Sequence, residues 1–117
     1  MLGFETALAL YELSDLAPAR IHLSVPPFFR KAPPPGIALH KGHWGLENLQ
    51  RGTGYQVTTP MRTLLDLAGS ALSPEHLEQG LREALARGLF RYRAVEKRLA
   101  ELAPLTRERL KLALTAQ

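Results

Sequence analysis

The sequence has no cysteine, which removes disulfides, thiolate metal sites and cysteine nucleophiles together. A reducing, cytoplasmic home is the expectation that follows. It also lacks any apolar run approaching the roughly 18–20 residues that a bilayer span needs, so no membrane partner is expected. The first residues, Met1-Leu2-Gly3-Phe4-Glu5, carry neither a basic n-region nor a small-residue cleavage site and do not read as a signal peptide. Aspartate is scarce, limited to Asp15 and Asp66. Metal-dependent nucleases pair an Asp on one strand with a Glu-x-Lys on the next, to hold magnesium and steer a water. Here Asp15 falls at a predicted helix end and Asp66 inside a predicted helix, and no Glu-x-Lys lies on a strand. Gly52-Thr53-Gly54 is too short for a phosphate loop and leads into a strand, and serine-hydrolase signatures are missing. The chain is therefore read as a non-enzyme without a cofactor. A degenerate nuclease-like domain, predicting magnesium-dependent cleavage, is the alternative these absences weigh against.

What is present is a chain of 117 residues, 45% of them hydrophobic, enough for a folded core and for one domain over 1–117. Net charge is +4, compatible with an anionic partner without requiring one. The distribution says more than the total. Between Arg87 and Lys111 eight basic residues stand against three glutamates, so the basic character concentrates near the C-terminus.

The pattern predicts an α+β fold: a small three-stranded antiparallel sheet, one N-terminal helix and three to four C-terminal helices. Ala7, Leu8, Leu10 and Tyr11 give helical spacing over 5–13, with Ser14-Asp15 and Pro18 ending the helix. Ile21–Val25 and Ile37–Lys41 alternate apolar and polar residues as strands do, and Tyr55–Thr58 makes a third. The loop 26–36, with five prolines, is expected to protrude stiffly between two antiparallel strands. Residues 43–49 read as a loop or a single helical turn. Beyond them, Thr59 caps and Pro60 opens one helix, and Ser73 and Pro74 open another that closes at Gly88. A third helix over about 91–102 is stopped by Pro104, and Thr106 caps the last.

Four groups of residues bear on function. Antiparallel pairing of the first two strands would set His22 opposite His40, with His43 nearby. No carboxylate at ligand spacing completes a metal set, so a polar strand face is the favoured reading and no metal is expected. Arg62 and Asp66 lie four apart on one helix face, as an i,i+4 pair or as an arginine offered to a phosphate. Arg91, Arg93, Lys97 and Arg98 cluster around Tyr92, followed by Arg107, Arg109 and Lys111. This stripe either neutralises nucleic-acid phosphates or is a solvated face moderated by Glu96, Glu101 and Glu108. Finally, Phe28, Phe29, Arg30 and Lys31 on the proline-stiffened loop form a second candidate contact surface, with one ring expected inward and one outward.

Three segments, in order, resemble AbiEi-type antitoxins. Phe4 to Pro27, "FETALALYELSDLAPARIHLSVPP", is similar to that family's short helix leading into an "I-H-L-T-V-P" strand, with Gly3-Phe4 standing where Ser-His is usual. "PPGIALHKG" (34–42) resembles the next strand, and "VTTPMRTLLDLA" (57–68) the family's "V-T-T-P-x-R-T-L-L-D-L-A" strand-to-helix junction. The resemblance covers residues 4 to 68. It implies a bacterial antitoxin of the abortive-infection, phage-defence kind, partnered with a nucleotidyltransferase-like toxin and repressing its own operon. Family members read the promoter with an N-terminal winged helix, which this sequence does not contain. The resemblance thus implies the antitoxic domain, assisting binding to promoter DNA. Taken with the charge asymmetry, it makes Arg91, Arg93, Lys97 and Arg98 the expected contacts to nucleic acid or a partner, with Arg30 and Lys31 as a second surface. A module that only holds a toxin or dimerises is the rival; it predicts salt-tolerant binding and an apolar patch around Phe28, Phe29 and Trp44.

Overall fold

The computed structural model describes residues 1–13, 20–52, 54–70 and 72–117. Among these the order is α1 (Phe4–Leu10), β1 (Ile21–Val25), β2 (Ile37–Lys41), a 3₁₀ turn Leu46–Asn48, β3 (Leu49–Gly52), β4 (Tyr55–Thr58), α2 (Pro60–Ala68), α3 (Pro74–Ala86), α4 (Tyr92–Arg98), a 3₁₀ turn Leu99–Glu101 and α5 (Pro104–Thr115). The class is α+β, with one N-terminal helix and four C-terminal ones.

The sheet departs from the expected three-stranded antiparallel arrangement. β1 and β2 run parallel, Ile21 beside Ile37 and Val25 beside Lys41, while β3 and β4 form a separate antiparallel hairpin. The proline loop is the reason a parallel pair is accessible. Parallel neighbours need a crossover long enough to return to the starting end, ordinarily a dozen residues or more. Residues 26–36, extended at about 3.1 Å each, reach about 34 Å, twice the roughly 17 Å length of a five-residue strand. Leu2 joins the two ribbons by bridging Leu23 on one side and Val57 on the other. Its N–H donates to the Gln56 carbonyl at 2.8 Å and its carbonyl accepts from Thr58 at 3.0 Å, while Met1 and Gly3 pair with Ser24 and His22. Gly3 lets the chain pass close to β1: a Cβ there would lie 2.3 Å from Ser24 Oγ, which would have to rotate away.

α1 stops at Leu10, short of the expected 13, in a Schellman ending. Leu13 donates to Leu8 and Glu12 to Ala9, with Glu12 at φ 55 and both leucines buried. The signals placed at Ser14, Asp15 and Pro18 lie outside the described residues. α2 and α3 begin as predicted. Thr59 Oγ1 accepts from Arg62 N and Ser73 Oγ from His76 N, with proline at the first helical position of both. Gly88, at φ 71, closes α3 through the same pair of bonds seen after α1. α5 starts earlier than expected: Pro104 opens it rather than merely stopping its predecessor, and Thr106 sits inside its first turn. Leu8, Leu13, Leu64, Leu67, Leu77, Leu81, Val95 and Leu110 form the centre of a core shared by α1 and the C-terminal helices. Tyr11 Oη ties α1 to the end of β4 by donating to the Thr58 carbonyl at 2.8 Å.

Candidate functional site

The basic C-terminal stretch divides into two populations. Arg87 donates to the Tyr11 and Glu12 carbonyls at the end of α1, at 2.6 and 2.5 Å. Arg107 donates to the Leu99 and Leu102 carbonyls, both at 3.0 Å. Arg109 donates to Ala68 at 2.9 Å and also to Ser70 and Leu72, where α2 has run out of its own donors. These three guanidinium groups satisfy backbone carbonyls left over at element ends, so their charge is committed to the fold. Arg98 is drawn to Glu101 at 2.7 Å. Arg91, Arg93 and Lys97 are exposed and make no side-chain hydrogen bond or ion pair among the described residues. Arg93 and Lys97, four apart on α4, point to one side, with Arg91 at the preceding cap position. Lys111 is likewise exposed on α5.

Arg62 belongs to a three-residue junction. Its Nε donates to Asp66 Oδ1 at 2.8 Å, Trp44 Nε1 donates to Asp66 Oδ2 at 2.9 Å, and the guanidinium lies 5.7 Å from the Trp44 ring centroid. The Asp66 side chain is only 8% exposed. Burial raises its pKa above the ordinary carboxylate value, against the lowering exerted by Trp44 and Arg62. The i,i+4 reading of Arg62 and Asp66 therefore describes what is seen. Sequence reasoning named Trp44 only as part of an apolar patch and missed its bond to Asp66, through which the indole pins the 42–45 segment to α2 from 22 residues away. Arg62 and Arg98 do share one cleft between α2 and the Leu99–Glu101 turn, but Asp66 and Glu101 line it too.

On the loop 26–36, Arg30 and Lys31 are exposed. Phe28 is 77% exposed and Phe29 partly buried, as the one-out, one-in expectation had it. Phe28 and Trp44 line one open trough of about 510 Å³ with Met1, Pro26, Pro27 and His43. The predicted site residues thus fall into groups on α4, on the proline loop and at the Trp44–Arg62–Asp66 junction.

The histidines meet, though not by the register expected. In the parallel pair His40 is beside Ser24, so His22 is its diagonal neighbour on the same face. His22 Nδ1 lies 2.9 Å from His40 Nε2, and Phe4 stacks on the His40 ring at 3.8 Å between centroids and 19° between planes. The carboxylate that sequence spacing did not find comes from α1: Glu5 Oε2 is 3.2 Å from His22 Nδ1. Thr6 Oγ1 accepts from His22 N at 2.7 Å and fixes α1 against β1. Burial and His22 lower the pKa of His40, while Glu5 opposes the shift. His43 is not in this group. Among the described residues, Glu5, His22 and His40 are the set with the geometry to hold a metal ion.

A family model described as the AbiEi antitoxin C-terminal domain matches residues 1–114. No curated protein matches the chain. No helix among the described residues is long and apolar enough to cross a membrane.

Proposed function

Because the chain belongs to the AbiEi antitoxin C-terminal domain family, we propose that it acts by binding rather than catalysis, neutralising a nucleotidyltransferase-like toxin and assisting repression of its own operon through nucleic-acid phosphates. The observation that carries the phosphate contact is the exposed group Arg91, Arg93 and Lys97, none of which is held in an ion pair among the described residues. Cations held outward at helical spacing release condensed counterions when they meet a duplex, and this drives association without reading the bases. Arg30 and Lys31 supply a second, separate contact.

The test is a titration of the chain against its promoter DNA at low and at physiological salt, with Arg93→Glu/Lys97→Glu alongside. Wild type is expected to bind with affinity falling steeply as salt rises. The double variant is expected to lose binding at both salts, because losing two phosphate contacts flattens the log–log salt slope by about 2 and charge reversal adds repulsion. Unchanged affinity in the variant overturns the assignment.

A second reading has its own observation. The trough between Phe28 and Trp44 is apolar and open, which favours a protein-directed surface. It predicts a toxin complex whose affinity holds between the two salt concentrations, together with no DNA binding at either.

A further inference from the structure

We propose that Glu5, His22 and His40 form a binding site for a divalent transition-metal ion of the zinc class, placed where α1 crosses the parallel ribbon. The inference is independent of the antitoxin reading and rests on where three ligand atoms converge. His22 Nδ1 is 2.9 Å from His40 Nε2 and 3.2 Å from Glu5 Oε2, and all three atoms lie within 4.8 Å of one another. An ion bonded tetrahedrally at about 2.0–2.2 Å to imidazole nitrogen and carboxylate oxygen holds neighbouring ligand atoms about 3.3–3.6 Å apart, so the two separations from His22 would open by about half an ångström or less to receive it.

The cluster is also short of protons. A neutral imidazole carries one N–H, so a proton on His22 Nδ1 serves either His40 Nε2 or Glu5 Oε2 and leaves the other unsatisfied. Glu5 Oε2 is shielded from solvent and accepts no hydrogen bond. One cation meets all three lone pairs at once. Two imidazoles and one carboxylate favour zinc, cobalt or nickel over magnesium, which prefers oxygen ligands. The Phe4 ring on His40 and the Thr6 bond to the His22 backbone hold two of the ligands in place. The His22 and Glu5 side chains are 17% and 19% exposed, so the cluster lies close beneath the surface even though Glu5 Oε2 itself is covered.

The experiment is calorimetric titration of the full, tag-free chain with zinc chloride and cobalt chloride, with magnesium chloride as control. One saturable site is expected for zinc and cobalt, with visible d–d bands for bound cobalt, and none for magnesium. Glu5→Gln, His22→Gln and His40→Gln should each weaken zinc binding by more than the roughly 10–100-fold that loss of a supporting partner costs, while His43→Gln changes nothing. Circular dichroism checks that each variant is folded. Should one unfold, ring-nitrogen NMR of the wild type decides: zinc should move the His22 and His40 signals and leave His43 and His76 in place. No saturable binding by the wild type overturns the site. So does one-to-one binding that survives both Glu5→Gln and His40→Gln, or zinc shifts confined to other histidines.

Discussion

Asp66 shows how one buried side chain can hold a loop and still cost stability. Trp44 and Arg62 both donate to it, yet burial keeps its pKa above the unfolded value. A carboxyl raised in this way binds its proton more readily folded than unfolded. Its favourable contribution is therefore present in acid, below the unfolded pKa, and is lost as pH rises through the folded one. Against Asp66→Asn, which does not titrate, the stability difference should move in favour of the wild type as pH falls from 7 to about 3. Urea midpoints at the two pH values measure this, and movement the other way would mean that the ionised form is the one the fold favours. Asp66 and Arg62 were legible together in the sequence because four residues is one helical turn. The bonds of Trp44 to Asp66 and of Glu5 to His22 were not, since each joins segments distant in the chain and no local spacing records that.

Helix ends were the most legible elements, because a cap is made within a few residues. Thr59-Pro60, Ser73-Pro74 and Gly88 all do what their types dictate. Strand direction was not legible: alternation in Ile21–Val25 says which residues share a face and nothing about which way the neighbour runs. β3 escaped notice because Leu49-Gln50-Arg51-Gly52 has a single apolar residue, and its pairing with β4 supplies the rest. Nor does the sequence distinguish an arginine aimed at solvent from one folded onto a carbonyl. That difference is testable. Arg109→Met strips charge-assisted bonds from the Ala68, Ser70 and Leu72 carbonyls and should cost about 2–3 kcal/mol in a urea melt. Arg93→Met, with no bond to lose, should stay within about 0.5 kcal/mol of wild type. DNA affinity should respond in the opposite order, and equal stability losses would dissolve the distinction.

Across the whole molecule, the α+β class and the basic C-terminal half were visible in composition and periodicity, but the sheet's closure was not. Its two ribbons are held together by Leu2, with Met1 and Gly3 beside it. The amides of Leu2, Ser24 and Thr58 should accordingly exchange with solvent together, at a rate set by opening of the sheet as a whole. Early exchange at Leu2 alone would show that the N-terminal residues fray separately. The same arrangement orders events during synthesis. Residues 1–3 leave the ribosome with β1 next behind them and β4 much later, so the bonds to His22 and Ser24 can form early while those from Leu2 to Gln56 and Thr58 wait until β4 has emerged. A chain stalled ahead of β4 should therefore leave the Leu2 N–H and carbonyl without their partners, and protease should cut it near the N-terminus faster than it cuts the complete chain.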